Sequence, residues 1–359
     1  MNDLKEFYYS HFNPNPEPYI VPGDYAMKIP VLTDLHLLFK EPSNRELYIP
    51  KQISILYNLE DFFIANNMDT VIDAGDLTDR GEDTVKMIVY NHIEHCLYRL
   101  FHGRNSYIVQ GNHEVTYSKN NLFYAHTQVN SVGLQEKLMK EQLMLPTVPL
   151  FKAVDKISIG NVDIHFMHFD KEQRYYVPPS NRTTIAIFHD DILTLETKEK
   201  LYHHKHGMGI DIEKTNVMEN IDIAICAHIH KPMKPFRLNN LRNTLVIIPG
   251  SLCQRTREED HTYIDIPVIC ITKEGNAEIQ YAPFHLGDIK ETINKEKDEK
   301  MTKQRQLRKE INKYKERANL AKTFEEFLET LTPEERRIVD LADNEIMPVA
   351  VAKYFSNNF

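Results

Sequence analysis

The run Val71-Ile72-Asp73-Ala74-Gly75-Asp76-Leu77-Thr78-Asp79-Arg80-Gly81 decides how the rest of the chain is read. Four β-compatible residues lead into a glycine and a carboxylate, and a second carboxylate follows three residues later. This is the pattern of a buried strand that delivers Asp76 to a loop at its C-terminal end, the edge at which open α/β sheets hold ligands. Aspartate after glycine is also ordinary turn chemistry, so the motif takes its meaning from what surrounds it.

Upstream, Ile29 to Thr33 is a short apolar run that ends at Asp34-Leu35-His36, a second strand with carboxylate and imidazole at its tip. Between the two strands, Ile53, Leu56, Leu59, Phe62 and Phe63 recur at helical spacing, which predicts an amphipathic helix over 50–66. Downstream, a helical stretch near 82–101 leads to a third strand, Tyr107 to Gln110, which ends in Gly111-Asn112-His113-Glu114. The order β-α-β-α-β predicts parallel pairing. Beyond it, 134–145 reads as a helix, and 157–159, 162–168, 184–188, 221–226, 244–248, 267–272 and 277–282 read as strands. So many short strands predict a second sheet, largely antiparallel, packed on the first. Its ends carry His189 and the pair His228-Ile229-His230. The fold class is therefore α/β, with two packed mixed β-sheets flanked by helices.

The composition, 42% apolar and 26% charged, is that of a globular protein, and a net charge of −9 gives no global basic field for a polyanion. Four scattered cysteines without a C-x-x-C pair read as thiols in a reducing compartment and argue against a zinc-cysteine site. With no long apolar run and no signal-peptide pattern, the expectation is a soluble, cytoplasmic protein with no membrane association. Composition shifts near 286. Between Lys290 and Lys322 twelve Lys and Arg face six Asp and Glu, so this segment is +6 in a chain otherwise at −15. Thr323-Phe324-Glu325-Glu326 and Thr332-Pro333-Glu334-Glu335 then open two further helices as capping boxes. The expected domains are an N-terminal arm over 1–27, an α/β body over 28–286 and an α-helical C-terminal appendage over 287–359.

The groups at strand ends are Asp34, His36, Asp76, Asn112, His113, His189, His228 and His230. Carboxylate, amide and imidazole donors without thiolate suit Mn²⁺, Fe²⁺ or Zn²⁺. Their number fits two ions better than one, and Asp76 can bridge a pair set up for in-line displacement at phosphorus. Taken singly, His189 is more often a core histidine. His165 and His168 fall on opposite faces of one strand and read as packing, and His203, His204 and His206 read as a solvated loop.

Asp34-x-His36, Gly75-Asp76-x-x-Asp79, Gly111-Asn112-His113-Glu114, His189 and His228-x-His230 together resemble the ordered signature of the calcineurin-like metallophosphoesterases, over roughly 28–285. Ala227 stands where that family usually has glycine. Within the superfamily, Ile247-Ile248-Pro249-Gly250-Ser251-Leu252 and the strands after it resemble the DNA-repair nuclease subunit SbcD. The resemblance implies that Asp34, His36, Asp76 and His230 hold one ion, and that Asp76, Asn112, His189 and His228 hold the other. It gives His113 the contact to the scissile phosphate and the leaving oxygen, with Asp79 orienting it. Arg80 would either bind a phosphate oxygen or tie down its loop by an ion pair. The implied activity is a two-metal DNA nuclease that hydrolyses phosphodiester bonds with metal-activated water, with Mn²⁺ the expected metal. The implied partners are DNA, an SbcC-like coiled-coil ATPase bound through the C-terminal helices, and a second copy of the chain. Asp79-Arg80-Gly81 and Glu114 resemble instead the protein Ser/Thr phosphatases and keep a phosphomonoesterase open. An inactive binding scaffold ranks last, because every ligand position is filled.

Overall fold

A computed structural model describes residues 17–38, 41, 45, 47–78, 87–113, 151–169, 175–193, 210–211, 216–253 and 262–286. The expected helix at 134–145, Asp79, Arg80, Glu114, the histidines at 203–206, most of the N-terminal arm and the C-terminal appendage lie outside them. The chain divides into two compact units, residues 1–42 with 46–292, and residues 43–45 with 293–359.

Strands β1 (Met27–Leu32), β2 (Thr70–Asp73) and β3 (Asn105–Ile108) pair in parallel, linked by helices α1 (Tyr48–Ala65) and α2 (Met87–Phe101). β12 (Tyr263–Ile271) joins the free side of β1 in antiparallel fashion and turns into β13 (Ala277–His285), giving the order β13-β12-β1-β2-β3. The second sheet has the order β10-β11-β9-β6-β5-β4, from β4 (Lys156–Ile159), β5 (Val162–Met167), β6 (Thr183–His189), β9 (Ile223–Ala227), β10 (Met233–Arg237) and β11 (Leu245–Ile248). Two residue pairs, β7 (Ile192–Leu193) and β8 (Ile210–Asp211), form a small separate ladder.

The second sheet corrects the antiparallel expectation. Its four central strands, β5, β6, β9 and β11, are all parallel, and only the edges β4 and β10 run the other way. The reason lies in burial. Ile185 and Ile187 of β6 pack between the sheets against Ile29, Val31 and Ile72, while Ala186 and Phe188 pack on the outer face with Val177, Met218 and Ile221. A strand buried on both faces reads as a continuous apolar run, the mark of a parallel interior strand. The edge strand β10, Met-Lys-Pro-Phe-Arg, escapes notice in the sequence because proline is tolerated only at edges.

On the outer face of the first sheet, Val71, Val268 and Cys270 pack with Ile53, Leu56 and Phe63 of α1 and Ile93, Leu97 and Leu100 of α2. The helix predicted from the spacing of its apolar residues is thus the outer layer of the core. All four cysteines are buried free thiols, and burial pushes the Cys96 thiol up to about 12. Among the described residues no helix is long and apolar enough to cross a membrane.

Candidate metal centre

Seven parallel strands, three in one sheet and four in the other, release their chains towards one site. β1 is followed by Asp34 and His36, β2 by Asp76, and β3 by Asn112 and His113. β5 is followed by His168 and β6 ends in His189; His228 and His230 follow β9, and Gly250 and Ser251 follow β11. Asp34, His36, Asp76 and His228 all have positive φ, between 42° and 78°. For residues with a Cβ this costs on the order of 1–2 kcal/mol each, and the surrounding hydrogen bonds hold it in place.

The backbone amide of His36 donates to the Asp76 carbonyl at 2.8 Å, and that of Leu37 to Leu77 at 2.9 Å, so the first two loops are laced together. From α1, the Gln52 side chain accepts from the Leu38 amide and donates to the His36 carbonyl. The His228 amide donates to both carboxylate oxygens of Asp34, and the His113 amide to Oδ1 of Asp76 at 2.9 Å. Gly75, at φ +103°, is required by space: a Cβ there would lie 2.6 Å from His189 Nδ1 and 2.9 Å from the backbone of Val109 and Gly111.

These restraints gather donor atoms into three overlapping groups, Asp34 with His36 and His230, His36 with Asp76 and His113, and Asp76 with His189 and His228. The centre is Oδ2 of Asp76. It lies 3.2 Å from Nε2 of His189, 3.6 Å from Nε2 of His36 and 3.7 Å from Nε2 of His113. Nε2 of His36 is 2.9 Å from Nε2 of His230 and 3.6 Å from Oδ1 of Asp34. Asn112 joins through Oδ1, 3.1 Å from Nε2 of His189. The sequence-predicted set Asp34, His36, Asp76, Asn112, His113, His189, His228 and His230 therefore lies at one site.

The hydrogen-bond chemistry of this cluster fits cations. Nδ1 of His189 lies 2.8 Å from the Ala74 carbonyl, so it carries the proton and donates. The other ring nitrogen then turns a lone pair towards the oxygens of Asn112 and Asp76. Among the described residues, Nδ1 of His228 is buried with no hydrogen-bond partner, a position costly to leave unfilled. Lone pairs facing lone pairs are stabilised by an ion between them. Burial raises the pKa of Asp34, but the neighbouring imidazoles of His36, His189 and His230 outweigh it and hold the carboxyl below its ordinary range. Asp76 is held well below its ordinary range, its burial outweighed by His189, His36 and His113. Burial and neighbouring His189 push His228 down to about 4, which keeps its ring neutral, the form a cation requires.

Three contributors escape the sequence reading. His168, read as packing, accepts the Gln110 amide on Nδ1 at 3.0 Å, and Phe169 donates to the Gln110 carbonyl at 2.8 Å. Together they pin the chain two residues before Asn112. Ser251 lies with its hydroxyl 2.9 Å from the Asp34 carbonyl, and its amide donates to the His230 carbonyl at 2.9 Å. Gly250 beside it, at φ +87°, could not accept a Cβ without meeting Pro232 and the His230 carbonyl. Asp191 places Oδ1 3.7 Å from Nε2 of His228. His165, predicted to pack, stays buried outside the three donor groups.

Residues 27–232 match the family model described as calcineurin-like phosphoesterase. No curated protein matches the chain. Among solved structures, the chain is similar to a 5'-nucleotidase precursor from Thermus thermophilus, at 11% identity and a TM-score of 0.37, with 79% of this chain and 59% of that one covered. It is also similar to a dimetal phosphatase from Danio rerio, at 9% identity and a TM-score of 0.36, covering 74% and 100%. A third is the NAD nucleotidase of Haemophilus influenzae, at 12% identity and a TM-score of 0.36, covering 72% and 50%. The chain thus spans about three-fifths of the first of these structures and half of the third.

Proposed function

The chain belongs to the calcineurin-like phosphoesterase family, and from that premise we propose that it is a two-metal phosphodiesterase acting on DNA, a nuclease of the SbcD kind. The family hydrolyses phosphoesters with two divalent metals. One observation carries the two-metal reading of this chain: Oδ2 of Asp76 stands between Nε2 atoms delivered by the ends of three different chain segments. Asp34, His36, Asp76 and His230 would hold one ion, and Asp76, Asn112, His189 and His228 the other. When bound, the ions supply Lewis acidity and neutralise charge at phosphorus.

The protein's own residues supply placement and protons. Oδ1 of Asp76 accepts from the His113 amide, which fixes the carboxylate among the imidazoles of His36, His113 and His189. That same bond holds the His113 ring beside the cluster, its Nε2 3.7 Å from Oδ2 of Asp76, where an imidazole can protonate a leaving oxygen near neutral pH. Asp79 would orient that ring and Arg80 would meet a phosphate oxygen. Mn²⁺ is the proposed metal, and an SbcC-like ATPase the proposed partner of residues 287–359.

The choice of DNA rests on the resemblance of residues 247–252 to SbcD and on the place of Gly250 and Ser251 in the site, bonded to both the Asp34 and His230 loops. The test is to incubate the protein and Mn²⁺ with labelled single- and double-stranded DNA, beside p-nitrophenyl phosphate and its bis ester. Cleavage of DNA and the bis ester is expected. Turnover of the monoester alone would replace the nuclease reading with the phosphomonoesterase that Asp79-Arg80-Gly81 and Glu114 suggest.

A further inference from the structure

We propose that the exposed edge strand β10 is the track along which a polynucleotide backbone reaches the metal centre, an inference that rests on the phosphodiesterase reading above. Residues 223–257 contain no Asp or Glu at all, yet carry Lys231, Lys234, Arg237, Arg242, Arg255 and Arg257. In a chain with 52 acidic residues, this acid-free stretch is a local reversal of sign. It is also the stretch that holds His228, His230, Gly250 and Ser251.

The fold aims it. Lys231 follows the donor His230 directly. Met233, the first residue of β10, pairs with Ile248, whose strand runs on into the Gly250-Ser251 clamp on His230. Arg237 pairs with Leu245 at the other end of the ladder, away from the donors. Lys231, Lys234 and Arg237 are all exposed, so three cations span about 20 Å leading out of the site, at roughly 3.3 Å per residue. Lys231 and Lys234 have no ion-pair partner among the described residues. Among the described residues Arg237 donates only to the Asn243 carbonyl, which steers its guanidinium without neutralising it. Arg242 differs, because it is paired with Asp222 at 3.1 Å and serves the fold.

The chemistry of the strand selects the occupant. Pro235 has no N–H, so another strand cannot extend the sheet here by continuous pairing. What remains is an unneutralised row of side-chain cations. Each DNA strand presents a phosphate every 3.4 Å along a duplex, about six over this length, whereas a mononucleotide reaches only the cation nearest the metals.

The test compares the full chain with its Lys234→Gln/Arg237→Gln variant, using labelled oligo(dT) in EDTA over a range of NaCl concentrations. The wild type should bind with a steep salt dependence. The variant should bind at least tenfold more weakly at low salt, with a log–log slope shallower by about 1.4, the loss of two single-strand phosphate contacts. Its Mn²⁺-dependent hydrolysis of bis-p-nitrophenyl phosphate should be unchanged, which shows that the site is intact. Equal affinity and slope in the two proteins would overturn the track, as would a wild type without salt-dependent binding. Self-association of the variant with unaltered oligo(dT) binding would also overturn it, and would assign the cations to guarding the sheet edge. The nuclease reading fails separately, if bound oligo(dT) stays intact when Mn²⁺ is added.

Discussion

Gly75→Ala should empty the metal centre without touching a single donor atom. At φ +103° the new methyl would sit 2.6 Å from His189 Nδ1 and 2.9 Å from two backbone atoms, the Val109 oxygen and the Gly111 nitrogen. The backbone atoms belong to the loop that carries Asn112 and cannot swing aside as a flexible side chain would. The strained backbone costs about 1–3 kcal/mol and overpacking about another 1–3 kcal/mol. For a body of this size that is a fall in melting temperature on the order of 10 °C. Relief by rotating His189 would break its bond to the Ala74 carbonyl and turn Nε2 away from Asp76. Gly103→Ala is the control, since Gly103 has φ +81° with nothing within 4 Å of its Cβ position. It should lose a few degrees through backbone strain alone and keep its metal. Melts with and without Mn²⁺, read beside elemental analysis, separate the two effects. A Gly75→Ala protein with wild-type metal content and melting temperature would refute the reasoning.

Asp76→Asn should abolish hydrolysis and bind less metal than the wild type, because one carboxylate offsets charge on both ions; an active variant with two ions per chain would sink the bridging role. His113→Ala should retain metal yet lose about 10²–10⁴-fold in rate, whereas His189→Ala should lose metal first; equal metal loss in both would show that the division of roles is wrong. A pH effect is expected away from the metals, at Asp163. Burial tends to raise its pKa, but the Ser158 hydroxyl at 2.7 Å and the nearby Lys156 and Arg182 cations lower it below the usual range. The unfolded chain therefore binds the proton more tightly, so the stabilisation is complete above the unfolded value near 3.8 and is lost as pH falls through the lower folded value. With both cations partly exposed its size should be under about 1 kcal/mol. Melting curves of Asp163→Asn should show a flatter acid limb than the wild type, and an unchanged limb would contradict the assignment.

The first sheet was legible in the sequence because its signals are local. A strand such as Val71–Asp73 is followed two residues on by Gly75, and the helix between β1 and β2 shows its apolar face at Ile53, Leu56, Leu59 and Phe63. Direction in the second sheet was not legible. Whether β6 runs with or against β9 depends on where the connection between them crosses, and the side-chain pattern of Ile185-Ala186-Ile187-Phe188 records only that both faces are buried. That double burial is what an interior parallel strand requires, and it was the available clue against an antiparallel sheet. Parallel order matters to the chemistry: it turns the ends of β6, β9 and β11 to the edge where β1, β2 and β3 also end.

The donors were legible for a related reason. A carboxylate or imidazole at the tip of an apolar run has no structural need to be there, so Asp34, His36, Asp76, His189, His228 and His230 stand out one strand at a time. The groups that hold them do not. His168 acts through the backbone of Gln110, 58 residues away in sequence, and Ser251 acts through the carbonyl of Asp34, 217 residues away. A bond to a main-chain amide or carbonyl leaves no mark on the identity of the residue at the other end, so no pairing of residue types could reveal either brace. The same asymmetry explains the strained backbones. Nothing in the side chains of Asp34, His36, Asp76 or His228 announces a positive φ, yet all four adopt one. Side chains that converge from separate loops in two sheets cannot all leave the backbone in relaxed conformations. The hydrogen bonds that Ser251 and Gln52 donate to the Asp34 and His36 carbonyls help keep those two conformations populated.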